Sequence, residues 1–474
     1  MNFNSLSYAI FLPIVFMIYW RVPHRFRWGL LLLASYYFYM SWNPQYIVLI
    51  LGTTIVSFFA AIFIEKYKEQ RMRKYVLILA SVVCIAVLFF FKYYNFFSNS
   101  LVIVLKSIAI DLHPATLDVL LPVGISFYTF QTMSYMVDVY RGDVKAERHF
   151  GEYATFISFF PQLVAGPIER TRNLLPQIKS VKNFNYEEAA YGLRLMAWGF
   201  FKKLVVADNA AIYVDAVYAS LDKCTGFDLL TAVLLFTFQI YCDFSGYSDI
   251  AIGTARLLGI KLMTNFKSPY LSASLKEFWG RWHISLSTWF RDYLYIPLGG
   301  SRCSRFRHSM NLMITFLVSG LWHGASWTFV FWGGIHGLVQ VIENQIGWNR
   351  TNKNGLNRVL SILSIFIICN IAWVFFRAET INDAMFIIGN LVIDLRTPAQ
   401  FLDSGIDLHK NGIFKVLIAA TIVMVYDWKS LKMDVLEYIA SRTLVVRWCI
   451  YVLVVYCIII MMPVETSSFI YFQF

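Results

Sequence analysis

Residues 28–64 contain no charged side chain, and no other feature of the sequence constrains the fold as strongly. Residues 75–91, 119–137, 359–376 and 448–464 are also free of Asp, Glu, Lys and Arg. A helix of about 20 apolar residues crosses roughly 30 Å of hydrocarbon. Soluble cores do not repeat such windows, so the chain reads as a membrane protein that crosses the bilayer many times. Composition agrees: 15% of residues are charged, against about 25% in a soluble domain. These windows predict an all-α polytopic fold of roughly eleven transmembrane helices, with re-entrant or interfacial helices between them.

Charge in the loops predicts orientation. Arg21, Arg25 and Arg27 follow the first apolar run. Lys66, Lys68, Arg71, Arg73 and Lys74 follow the second pair, which turns at Asn43-Pro44. Two further crossings reach Arg141, Lys145 and Arg148. All three loops fall on one side, which the positive-inside rule makes cytoplasmic. The net charge of +12 is thus a loop signal, one that also attracts anionic headgroups, and it does not imply nucleic acid. No Lys or Arg precedes residues 6–20 and no small-residue cleavage site follows them, so this run is expected to be a retained first span. The seven cysteines are scattered without a CxxC pair and are expected to be packing residues. No repeat or linker divides the sequence, so residues 1–474 are expected to form a single domain.

Three stretches depart from plain spans. Phe159-Phe160-Pro161-Gln162 and Ala165-Gly166-Pro167 break an apolar run. Asp243 and Asp249 stand beside a long apolar helix, either supporting a site or capping that helix. Residues 276–300 mix aromatic with charged side chains. Backbone of this kind survives at membrane depth only inside protein or beside water. Within it, Phe278, Trp282, Leu286, Trp289 and Tyr293 fall on one helical stripe, as in an interfacial helix with an aromatic belt.

Residues 309–342 carry no formal charge yet contain His323 and His336. Ionisable groups in a membrane are costly, and they mark function by default. Gly320 and Gly324 stand beside His323, leaving room for a substrate or for a neighbouring helix. Gly333 and Gly337 around His336 suit helix packing. No GxSxG elbow, P-loop, HExxH pair or DxD pair appears. What remains is a buried histidine, a second histidine, hydroxyls and a polar cleft. Its natural chemistry is general-base activation of a hydroxyl for acyl transfer, with burial favouring the neutral imidazole.

These words also resemble a family. Trp282-His283-Ile284-Ser285-Leu286-Ser287-Thr288-Trp289-Phe290-Arg291-Asp292-Tyr293 and Leu321-Trp322-His323-Gly324-Ala325 resemble the membrane-bound O-acyltransferases (MBOAT). Residues 161–168, 295–300 and 469–474 fit the alginate O-acetyltransferase, AlgI-like branch. The resemblance implies a ring of helices whose cytoplasmic and extracytoplasmic funnels meet near a catalytic histidine. It places His323 at that position and His283 at the second signature position. It implies a donor, acetyl-CoA or an acylated carrier protein, that arrives from the cytoplasm, and no bound cofactor or metal. An SGNH-hydrolase-like acetyltransferase is the implied extracytoplasmic partner, and the bacterial inner membrane the implied location. Ser326 departs from the branch, which carries Asn there, and that bears on substrate detail.

On this reading His323 takes the proton of an acceptor hydroxyl, and His283 orients the substrate or stabilises the oxyanion. Trp282, Ser287, Arg291, Asp292, Trp322 and Ser326 are candidates for substrate or donor contact, and Arg291 with Asp292 also for a pair that holds the re-entrant helix. Arg302, Arg305 and Arg307 meet donor phosphates or merely mark the cytoplasmic side. D-alanyl transfer to teichoic acid, as in DltB relatives, is the alternative acyl transfer. A transporter of polysaccharide precursors is the alternative outside enzymes.

Overall fold

The computed structural model describes residues 1–111, 114, 116–117, 119–164, 166–348, 354–393, 410–463 and 469–470. Among the described residues every regular element is a helix and there is no strand. The chain forms two compact units, one of residues 1–193 with 251–263, the other of 194–250 with 264–474.

The first unit holds α1 (Leu6–Arg21), α2 (His24–Met40), α3 (Ile47–Lys66), α4 (Gln70–Leu88), α5 (Tyr94–Ser107), α6 (Ile125–Arg141), α7 (Phe150–Ser158), α8 (Phe160–Leu163) and α9 (Thr171–Lys179). The expected turn at Asn43-Pro44 is present, with the Asn43 side chain accepting from the N–H of Gln45. α4 and α5 are continuous through a wide turn at Phe89–Tyr93, so the helix runs on past Lys92, where the charge-free window ends. α3 packs against α4 and α6 and buries Thr53, Thr54 and Ser57. Their hydroxyls bond to carbonyls of the preceding turn, which lets polar side chains sit in an apolar helix at little cost. The breaker at Pro161 ends one helix and starts another. Gln162 closes the corner, donating to Gln131 at 3.0 Å and to the carbonyl of Phe156 at 2.9 Å. Ala165 lies outside the described residues.

Outside the spans, Glu147 is held by Lys179 at 2.7 Å. Burial alone would push the Glu147 carboxyl up, but Lys179 and the N–H groups of His149 and Arg148 hold it below the usual carboxylate range. The same contact raises the ammonium of Lys179.

α10 (Tyr186–Phe200) leads into the second unit. There follow α11 (Asp208–Tyr218), α12 (Gly226–Leu257), α13 (Leu275–Trp279), α14 (Ile284–Phe290), α15 (Arg305–His323), α16 (Trp327–Gln345), α17 (Gly355–Arg377), α18 (Ile381–Asn390), α19 (Lys410–Ser430), α20 (Val435–Ala440) and α21 (Leu444–Met461). Among the described residues, five helices are long and apolar enough to cross a membrane: Pro44–Lys66, Gln70–Ser107, Gly226–Leu257, Gly355–Arg377 and Leu444–Met461.

α15 and α16 form a tight antiparallel hairpin. A Cβ on Gly320 would strike the carbonyl of Phe329, and one on Gly333 the carbonyl of Phe316. A Cβ on Gly324 would strike the ring of Phe329. The space beside His323 at these glycines is therefore taken by α16, not held open for a substrate.

Candidate active site

The helical stripe expected through residues 278–293 is not one helix. α13 stops at Trp279, and the chain turns through Gly280 to His283 before α14 begins. Hydrophobic period alone does not reveal this break, because both helices keep their aromatic faces. His283 sits at the break with φ 43° and ψ 54°, a left-handed conformation that costs a non-glycine residue roughly 1–2 kcal/mol. Such strain persists where the surroundings over-determine it.

Asn265 does that here. Its carbonyl accepts from the N–H of Ile284 at 2.9 Å, and the N–H of Lys267 bonds to the carbonyl of Arg281. Its side-chain Oδ1 lies 3.1 Å from Nδ1 of His283, 3.2 Å from the N–H of Ser285 and 2.9 Å from the Ser285 hydroxyl. Its Nδ2 reaches the hydroxyl of Ser248 on α12 at 3.2 Å. Asn265, Ser285 and His283 are all fully buried. Asn265 leaves no trace in the sequence, because an isolated Asn in a loop carries no periodic or motif signal.

His323 ends α15 and is 2% exposed. Its ring centroid is 6.5 Å from that of His283, so the structure brings the two expected histidines together. Trp322 and Trp332 meet His323 edge-on at 5.0 and 4.9 Å, and Phe376 at 5.6 Å. Phe244 closes the other side of His283 at 4.6 Å. His336 lies one ring deeper, 4.9 Å from Trp332 and 5.2 Å from Trp279, among aromatic side chains.

A cavity of about 760 Å³ opens in the same unit. Volumes of this order enclose small-molecule ligands. Lys276, Arg291 and His308 line its exposed part, and no acidic side chain does. The Asn344 amide holds His308 at 3.0 Å. The buried part reaches Trp279, Phe316 and Ser319. Ser319 is one helical turn before His323, on the same side of α15.

The other expected residues are placed as follows. Ser287 and Arg291 line the cavity. Arg291 pairs with Asp292 at 2.8 Å, as expected. Trp282 is fully buried, stacked on Phe278 at 5.5 Å and beside Trp373 at 5.0 Å, and does not line the cavity. Arg302, Arg305 and Arg307 are exposed and do not line it either, leaving its basic rim to Lys276, Arg291 and His308. Ser326 caps α16, accepting from the N–H of Thr328. Asn and Ser are equally good in that role, so the departure from the branch keeps the helix start intact.

Asp243 and Asp249 cap no helix. Both lie within α12 and pair with adjacent lysines of the turn after α10. Asp249 meets Lys202 at 2.6 Å, and Asp243 and Asp208 share Lys203 at 2.6 and 2.8 Å. Asp243 also accepts from the N–H of Ile470, and Phe469 packs on Tyr247 and Phe244. Residues 471–474 of the expected C-terminal motif lie outside the described residues.

A family model for the membrane-bound O-acyltransferases matches residues 145–377, which include the histidine pair and the cavity. The probable alginate O-acetylase AlgI of Azotobacter vinelandii is 39% identical over 431 residues, covering 89% of this chain and 84% of the relative. The chain belongs to the membrane-bound O-acyltransferase family. It is therefore a multi-pass membrane acyltransferase. The peptidoglycan O-acetyltransferase of Helicobacter pylori is 37% identical, covering 82% of this chain and 79% of the relative. The teichoic acid D-alanyltransferase of Streptococcus thermophilus is 30% identical over 61% of this chain and 68% of the relative.

Proposed function

We propose that this acyltransferase O-acetylates an extracytoplasmic polysaccharide of the alginate kind, using a cytoplasmic thioester. The supporting observation is the cavity that runs from a basic rim to within one turn of His323, beside His283. Lys276, Arg291 and His308 suit the phosphates of acetyl-CoA or of a carrier's prosthetic arm, and the aromatic interior suits the thioester. One imidazole takes the proton of the acceptor hydroxyl as its oxygen attacks the thioester carbonyl. The other faces the carbonyl oxygen as charge develops.

Relatives named for O-acetylation align over about four-fifths of the chain, whereas the D-alanyltransferases align over less at lower identity. That supports acetyl over D-alanyl transfer. The remaining elements of this reading are one catalytic domain of roughly eleven crossings, opposed funnels, the bacterial inner membrane, and an SGNH-hydrolase-like partner that finishes the transfer outside. The test is His323→Ala in the producing cell. Polymer acetylation, read by NMR of the secreted polysaccharide, is expected to vanish while the protein stays in the membrane. Full acetylation in that variant would end the proposal.

A further inference from the structure

We infer that Glu343 is a positioning residue for the acyl transfer: its carboxyl group ties α13 to α16, and so holds the cavity rim at Lys276 and the turn that carries His283 against the hairpin that carries His323. This rests on the acyl-transfer reading.

Glu343 stands where the charge-free run of residues 309–342 ends, in the last turn of α16. It is 4% exposed. One carboxyl oxygen accepts from the N–H of Leu275 at 2.7 Å, and the other from that of Lys276 at 3.4 Å. These are the first two N–H groups of α13, which no carbonyl of their own helix can reach. Ser274 serves the third, accepting from the N–H of Glu277. Leu275 is fully buried, so its N–H has given up water and depends on this acceptor.

α13 has five residues, too few to hold a helix by themselves. Its place is set by what it is fastened to. At its start that is Glu343. At its end Trp279 meets Trp332 at 5.7 Å and His336 at 5.2 Å, and Phe278 stacks on His336 at 6.2 Å. Trp332, His336 and Glu343 follow one another at four and seven residues, a single stripe along α16. α16 is seated on α15 through Gly320 and Gly333, and α15 ends at His323. One stripe of α16 therefore sets where α13 lies relative to His323. Lys276 and Trp279 of α13 line the cavity, and His283 follows Trp279 by four residues. Glu343 does not line the cavity, so it acts through α13. A shift of about 1 Å in such a support costs on the order of a hundredfold in rate.

The test uses full-length protein in lipid nanodiscs. Amide hydrogen exchange is read by mass spectrometry. Thiol release from acetyl-CoA, with the extracytoplasmic partner and an oligosaccharide acceptor present, is read well below every melting midpoint. Glu343→Ala is expected to speed exchange in residues 275–282 by about tenfold and to leave α15 at the wild-type rate. The same variant is expected to lower kcat by about a hundredfold, and Glu343→Gln, which keeps one oxygen for the Leu275 N–H, by only about tenfold. Gly226→Ala controls for lost stability alone: its Cβ would strike the carbonyls of Ile393 and Asn390 at the start of α12, away from α13. It is expected to keep kcat within about twofold of wild type. Unchanged exchange in Glu343→Ala, or a fall in kcat no larger than that of Gly226→Ala, would overturn the assignment. Should Glu343→Ala fail to reach the membrane, Glu343→Gln is judged by the same two readings. A wild type that releases no thiol from acetyl-CoA fails the acyl-transfer reading instead, and the exchange of residues 275–282 still decides whether Glu343 holds α13.

Discussion

Replacing Lys203 with Met keeps most of the side-chain volume and removes one charge from a dry site. Lys203, Asp208 and Asp243 have side chains that are 0%, 0% and 4% exposed, with the ammonium 2.8 and 2.6 Å from the two carboxylates. The variant leaves two carboxylates facing each other without their shared cation. Breaking a buried ion pair from one side costs about 3–5 kcal/mol. At about 2–4 °C per kcal/mol for a unit of this size, the unfolding midpoint should fall by roughly 6–20 °C. The assay is intrinsic tryptophan fluorescence in detergent at one fixed heating rate, because such midpoints depend on scan rate. Adding Asp208→Asn and Asp243→Asn removes the uncompensated charge and should recover most of the loss. A single variant within about 2 °C of wild type, or a triple variant as unstable as the single, would mean that Lys203 does not offset the charge of the two carboxylates.

Other outcomes follow from neighbouring features. Gly333→Ala should destabilise by about 1–3 kcal/mol, since its Cβ meets the carbonyl of Phe316, whereas Gly334→Ala, which meets only the side chain of Leu317, should be neutral or stabilising in the same melt. Ser319→Trp fills the buried end of the cavity and should cut thiol release from acetyl-CoA by about a hundredfold; alanine at Lys276, Arg291 and His308 together should instead raise donor KM by about tenfold. Unaltered kinetics in these variants would remove the cavity from the donor path. Glu147 titrates below its unfolded range, so its contribution is present above the unfolded pKa and lost as pH falls through the folded one. Glu147→Gln should therefore flatten the acid side of the stability profile measured from pH 3 to 7, and a profile parallel to wild type would contradict that.

Much of the fold was legible because lipid imposes a simple rule. Charge-free windows became helices, that of residues 119–137 only from Ile125 on, and breakers such as Asn43-Pro44 and Pro161 became corners. His323 stood out because an ionisable group in an apolar run has few reasons to be there. The cavity's rim was legible only at Arg291: Lys276 and His308 lie on two other segments, and only folding gathers the three. Arg302, Arg305 and Arg307 drew attention by density, yet density in sequence does not place a charge on a cavity wall. Lys202 and Lys203 gave no pattern, because their partners on α12 lie some forty residues away. Asn265 was invisible for the same reason, bonding to a residue eighteen positions on.

Acyl transfer from a thioester at the buried histidine pair, as proposed, is open to a direct measurement. Purified protein in vesicles, given acetyl-CoA, the extracytoplasmic partner and an oligosaccharide acceptor, allows free thiol to be counted against acetyl ester formed. The wild type is expected to release one thiol for each ester, and His323→Ala and His283→Ala each to release none above background while melting at the wild-type temperature. Equal release from the wild type and both folded variants would mean that the two histidines do not carry the transfer.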